Sequence, residues 1–302
     1  MKSSEAGLYL ALCAAVLFWG VSFVATKMAL EGFPTFTLIF ARFALASCLF
    51  LLLMTRYGFP RVTRRNQAKL FLTALFEPGL YFLFETLGLQ HTTAPKAALI
   101  IAVIPVVVVV LAAMFLRERT SLGGLLGIGT TLVGIVVLIG GDLQRDSTWR
   151  GEILGDLLIA GAVLSAACYT VCARDLGRHH SAWEITSIQT LYGALFFAPA
   201  CLMELPQIDW PHVTLRSYAA LVYLTLFATV GAFLCYNYAL VRLPASRAAV
   251  FINGIPVVTA AAAWLLLGET LTAAQLGGGV LVLFGVYLTN RPRSRSMVLS
   301  PE

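Results

Sequence analysis

Charge is scarce in this sequence. Of its 302 residues only 12% are Asp, Glu, Lys or Arg, about half the share of a soluble domain. With 59% hydrophobic residues and a mean hydropathy of +0.84, there is too little polar surface to keep the chain in water. Cysteine is missing from the connections. All six (Cys13, Cys48, Cys168, Cys172, Cys201, Cys235) fall inside apolar runs, which argues against a disulfide framework and for thiols used as small core residues. Histidine is absent from the depths of those runs. The four present (His91, His179, His180, His212) lie in or beside connections, with no metal-ligand spacing. Nor is there a Ser/His or paired-Asp arrangement, so neither a metal, a cofactor nor an intramembrane enzyme is expected. A clean small-x-small cleavage site is also lacking near the start, and the first run reads as a retained helix.

What is present is apolar length. About 20 apolar residues carry a helix across a bilayer, and ten runs reach that scale: 7–28, 35–55, 69–90, 95–116, 122–141, 153–173, 183–203, 217–240, 245–267 and 272–290. Their connections leave no room for an extramembrane domain. The formal charge of +6 could suggest nucleic acid, but its distribution points elsewhere. Numbering the connections alternately places fifteen Lys and Arg on one side, including Arg61, Arg64 and Arg65, and five on the other: Lys27, Lys96, Arg145, Arg150 and Arg216. Basic residues accumulate on the cytoplasmic side. Both termini are therefore expected in the cytoplasm, the lipid bilayer is the partner, and no nucleic acid is.

The chain also repeats itself. An offset of 151 positions brings Pro105 onto Pro256, Lys96 onto Arg247, Glu118 onto Glu269 and Gly134 onto Gly285. A one-residue gap sets Trp19 opposite Tyr169. Residues 1–146 and 147–302 thus form two units of five helices. Because five is odd, the second must enter the membrane inverted, an arrangement of many secondary transporters. Pro105 and Pro256 fall at the centres of matching apolar runs, where a proline costs a helix about 3 kcal/mol. Such a cost is tolerated where a cavity or a partner satisfies the freed carbonyl. Both prolines are expected to be bends or hinges beside a cavity.

The ten helices in two halves, the Pro105–Glu118 and Pro256–Glu269 segments with a glycine-rich helix after each, and Phe18-Trp19-Gly20-Val21-Ser22-Phe23 together resemble the EamA type of the drug/metabolite transporter superfamily. The resemblance covers essentially the whole chain, with Arg117 standing where the family usually has glycine. It implies an all-α carrier of the bacterial inner membrane that exports amino acids, related amines or other small metabolites by alternating access around a central cavity. A broader drug/metabolite or nucleoside carrier is the alternative, with a non-transporting sensor behind it. The oligomeric state is left open.

Matched positions within a repeat point to scaffold, whereas an asymmetric small-molecule cargo needs positions that differ. Glu118 and Glu269 match and are read as fixing hairpins. Lys96 and Arg247 match and are read as snorkelling to headgroups, with gating no better supported. The rows Gly123, Gly127, Gly134 and Gly277, Gly278, Gly285 let two helices approach. Glu77 falls opposite Ala228, Glu85 opposite Tyr236, Thr86 opposite Asn237, and Asn253 opposite Ala102. Ionisable residues inside a span are costly and usually face the interior. Glu77, Tyr81 and Glu85 trace one helix face. Arg42 lies at a depth similar to Glu85, so an ion pair between them is expected, as readily structural as functional. Glu77 has no evident partner and is read as a proton carrier or a ligand for cationic cargo. Trp19, Tyr81, Tyr169 and Tyr236 lie in helices that, by the resemblance, border the cavity. With Asn237 and Asn253 they complete the substrate-binding candidates.

Overall fold

The computed structural model describes residues 5–60, 64–116, 122–140 and 149–290, and every regular element among them is helical. Helices α1 (Glu5–Leu30) and α2 (Thr35–Tyr57) are long and continuous. The next span is interrupted: α3 (Arg64–Ala74) runs through a π-helical stretch, Leu75–Leu80, into α4 (Tyr81–Leu89). After it come α5 (Ala94–Ile101), α6 (Ile104–Leu116) and α7 (Leu122–Gly140). Two further long helices follow, α8 (Trp149–Leu176) and α9 (Ala182–Glu204). Then α10 (Leu215–Tyr223) joins α11 (Ala232–Leu240) through a second π stretch, Leu224–Gly231. The described chain ends with α12 (Ala245–Val250), a 3-10 stretch Phe251–Gly254, α13 (Ile255–Leu267) and α14 (Ala273–Asn290).

Among the described residues eight spans are long and apolar enough to cross a membrane, and two shorter apolar helices, Leu126–Val137 and Ala273–Leu288, accompany them. The helix starts follow local chemistry. Ser181 and Glu184 form a reciprocal capping box on α9, and Thr214 accepts from Ser217 N at the head of α10, satisfying amides that a helix start leaves orphaned.

The two prolines sit differently from the expectation. Pro105 is the second residue of α6 and Pro256 the second of α13, in each case just after a break. In the first turn a proline removes no intrahelical bond. The interior cost anticipated from the sequence is therefore not incurred at either site. The breaks themselves are real: the chain turns at Ala102–Val103, and the Val103 carbonyl accepts from both Val106 N at 2.9 Å and Val107 N at 3.3 Å.

The sharpest interruption lies elsewhere, at Glu77, whose φ of −146° and ψ of 113° depart from helix altogether. Pro78 accounts for it, since a proline's ring pushes the preceding residue out of the α region. Single-turn π segments mark functional sites in many helices.

Helix α1 packs against α10, α11 and α13, α2 against α9, α8 against α4, α5 and α6, and α7 against α14. The last contact is backbone to backbone. A Cβ at Gly285 would stand 2.6 Å from Thr131 N, and one at Gly134 2.7 Å from Val282 N. Gly277, by contrast, faces open space and takes no part. Gly285→Ala is expected to cost about 1–3 kcal/mol by overpacking, read as a lower unfolding temperature of purified protein, while Gly277→Ala, inside α14 with open space around it, is expected to hold or slightly raise that temperature.

Two scaffold expectations need correction. Lys96 does not snorkel; it is 2% exposed and paired with Asp156. Its counterpart Arg247 is exposed. Glu269 does not fix its own hairpin, which Thr272 and Gln275 cap reciprocally. Instead it reaches Lys27 and the amide of Ala94. Glu118, Arg61 and both termini lie outside the described residues.

Candidate functional site

The kink at Glu77 faces a cavity enclosed by α1, α2, α4, α8, α11 and the two interrupted helices α5–α6 and α12–α13. Its wall includes Trp19, Arg42, Glu77, Tyr81, Glu85, Tyr169 and Tyr236, together with Ser22, Phe82 and Thr170. Burial of three ionisable side chains in a membrane-spanning bundle is expensive. Gathering them on one cavity keeps their heads near one another and near polar partners. The space open to the centres of water molecules is about 30 Å³, room for roughly two waters. Small-molecule pockets start at roughly 300 Å³, so the walls must part before cargo fits.

Arg42 departs from its expected direct ion pair. Its Nε donates to Thr229 Oγ1 at 3.0 Å, and its guanidinium lies 4.4 Å from the centre of the Phe82 ring. Glu85 is held locally, accepting from Thr86 Oγ1 at 3.1 Å. Both glutamates line the same cavity as Arg42. One guanidinium thus faces two carboxyl groups, and a single added positive charge would balance the three. Glu77, at 6% exposure, makes no hydrogen bond to another described side chain.

The aromatic wall is fixed by polar tips. Trp19 Nε1 donates to Ala228 O at 3.2 Å, and its ring meets Tyr236 at 5.1 Å and Phe233 at 5.3 Å between centroids. Tyr169 Oη lies 2.8 Å from Asn237 Oδ1 and 3.0 Å from Gln189 Oε1. Both oxygens accept, and the phenol has one hydrogen to share between them. Asn237 Nδ2 in turn donates to Thr186 Oγ1 at 2.9 Å. The Tyr236 hydroxyl, 2% exposed as a residue, has no well-aligned hydrogen bond and points toward Thr170.

The sequence-level candidates therefore divide. Trp19, Arg42, Glu77, Tyr81, Glu85, Tyr169 and Tyr236 share one cavity. Asn237 stands behind it and orients Tyr169. Asn253 lies in the 3-10 stretch off the wall, its Oδ1 without a partner. Pro105 and Pro256 are also off the wall, although Ile104 and Ile255 beside them line it. Thr229 and Ser22 were not anticipated, because a lone hydroxyl in an apolar run carries no distinguishing signal.

Asp156 carried the signal of intramembrane charge and is passed over by the repeat comparison. It belongs to a second polar cluster beyond the cavity. Lys27 Nζ lies 2.5 Å from Glu269 Oε1 and donates to Thr92 O at 3.1 Å. Glu269 Oε2 accepts from Ala94 N at 2.9 Å, Thr92 Oγ1 donates to Asp156 Oδ1 at 3.0 Å, and Lys96 Nζ meets Asp156 Oδ2 at 2.6 Å. This network ties the end of α1, the start of α5, the first half of α8 and the segment after α13. Among the described residues no group of His, Cys, Asp and Glu could hold a metal ion.

Known proteins offer a consistent comparison. The family model described as EamA-like transporter family matches residues 6–140 and again 153–291. An uncharacterized transporter of Bacillus subtilis, YetK, is 28% identical over 96% of this chain and 88% of its own. A probable terminal-alkyne amino-acid exporter of Streptantibioticus cattleyicolor is 27% identical over 96% and 95%. A probable amino-acid metabolite efflux pump of Salmonella typhimurium is 27% identical over 93% of each. One crystal structure superposes with a TM-score of 0.68 at 18% identity, covering 95% of this chain and 99% of that one. At that identity the likeness speaks for the fold alone.

Proposed function

We propose, from the premise that this chain belongs to the EamA-like transporter family, that it is a secondary transporter exporting a small metabolite, an amino acid or related amine. The observation that carries this reading is the buried, charge-bearing, aromatic-walled cavity at the Glu77 kink. Aromatic faces attract an ammonium group, and a carboxylate completes its recognition. Glu77 and Glu85 are the candidates for that contact, with Trp19, Tyr81, Tyr169 and Tyr236 as the walls. Glu77, unpaired by any side-chain hydrogen bond, is the better candidate to exchange cargo for a proton. Two relatives whose names refer to amino-acid export support the cargo class.

The transport cycle in this reading is alternating access between two inverted five-helix units, 1–146 and 147–302, with both termini in the cytoplasm of a bacterium and the chain in its inner membrane. Two π stretches, two broken helices and a family model matching twice support the pairing of the units. The breaks ahead of Pro105 and Pro256 supply the hinges that widen the cavity. Purified protein in liposomes is expected to exchange labelled amino acids or amines saturably. Nucleosides moving in their place would favour the broader carrier, and no counterflow of any of these would overturn the proposal.

A further inference from the structure

A second space lies on the opposite side of α8 from the cavity. Tyr169 and Thr170 face the cavity, whereas Cys168, Val171 and Cys172 line a groove of about 580 Å³ between α3, α6 and α8. The groove has two chemically distinct ends. Leu72, Phe76 and Leu111 join the α8 residues in an apolar trough, while Lys69, Arg174, Asp175 and Arg178 gather at its mouth. The mouth coincides with the ends of the helices: Asp175 is one residue from the end of α8. From Lys69 to Phe76, and from Asp175 back to Cys168, the trough runs seven residues, roughly 10 Å at helical rise. It thus starts at the water interface and descends into hydrocarbon.

Charge at the mouth is unbalanced. Lys69 Nζ lies 2.7 Å from Asp175 Oδ2 and Arg178 Nε 3.8 Å from Asp175 Oδ1. Among the described groove residues Asp175 is the one carboxylate, against three cations. Arg174 Nη1 donates to Leu240 O and Val241 O at 3.1 and 2.7 Å, which anchors its guanidinium at the mouth. Water needs two to four polar partners in a buried space, and the trough offers only two thiols and the Thr73 hydroxyl, which already donates to Lys69 O at 2.7 Å. Hydrocarbon meets that lining without loss. An anion at the mouth would find two surplus positive charges.

We propose that this groove is a binding site for one anionic phospholipid, with an acyl chain in the trough and the phosphate at Arg174 and Arg178. The site is separate from the cargo cavity and does not depend on the identity of the cargo. Each basic group near a membrane surface favours an anionic lipid measurably, and two surplus charges correspond to a preference of roughly thirtyfold.

The test uses the full-length protein, equilibrated with equimolar phosphatidylglycerol and phosphatidylcholine, stripped by detergent and weighed intact by native mass spectrometry. Wild type is expected to retain one phosphatidylglycerol in that preference. Arg178→Glu, at an exposed position, cancels the surplus and is expected to retain the two lipids equally. Leu72→Trp narrows the trough and is expected to lose both. Unfolding temperatures near wild type establish that the variants are folded. Equal retention by wild type, or either variant behaving as wild type, would overturn the site. Displacement of the lipid by a transported amino acid would instead make the groove part of the cargo path, and the proposal would fail while transport stood.

Discussion

Glu77→Gln is expected to leave the protein inserted and folded, with its unfolding temperature near wild type, while flux falls by roughly tenfold or more and loses its dependence on pH. The substitution keeps the side chain's shape and its place on the cavity wall. Pro78 still sets the backbone at residue 77. What disappears is the negative charge. A hydrogen bond to a charged group is worth about 1.5–3 kcal/mol, which corresponds to ten- to a hundredfold in occupancy. Counterflow in liposomes at several pH values measures the outcome. Unchanged flux across pH would remove Glu77 from the mechanism, and a large loss of unfolding temperature would mark it as structural. Glu85→Gln is a useful companion, because Glu85 already accepts from Thr86 and its loss bears on packing as well as charge.

The largest stability effect is expected at Lys96 and Asp156. Their side chains are 2% and 0% exposed and 2.6 Å apart. Lys96→Met leaves a carboxylate buried without its counter-ion, and removing one partner of a buried pair typically costs 3–5 kcal/mol. Asp156→Leu removes the counter-ion of the Lys96 ammonium and the acceptor of the Thr92 hydroxyl. The double variant removes both charges together and is expected to recover most of the loss. Thermal unfolding of the four proteins in one detergent provides the cycle. Losses that simply add would mean that the pair contributes nothing as a pair.

Much of this architecture can be read from residue chemistry. Arg42, Glu77 and Glu85 each interrupt an apolar run, and a membrane leaves such residues one direction to face, so their shared cavity was foreseeable. The same logic identifies Asp156. The position of each break was less legible. A proline in an apolar run lies inside a continuous helix, as Pro199 does in α9, ends one segment or opens the next, according to the backbone conformation upstream, and both Pro105 and Pro256 open one. Partners set by packing were beyond reach. Arg42 meets Thr229 because α2 lies beside the second π stretch, a fact of assembly that no spacing encodes. For the same reason Asn237 came to rest behind Tyr169 rather than on the wall.

Among the described residues the polar network at the end of α1 has no mirror image. Under the register of the repeat, the positions of Lys27, Thr92 and Asp156 are taken by Gly177, Leu243 and Ala6. Arg247, the counterpart of Lys96, is exposed. Among the described residues the pairs Lys27–Glu269 and Lys96–Asp156 therefore latch one end of the molecule, the first partly exposed and the second removed from water. If the carrier alternates as proposed above, its empty form would stand shut at the Lys27–Glu269 end and load from the other, so that direction of loading would be a property of the empty protein. Each 1.4 kcal/mol by which the latch favours closure multiplies that standing population tenfold.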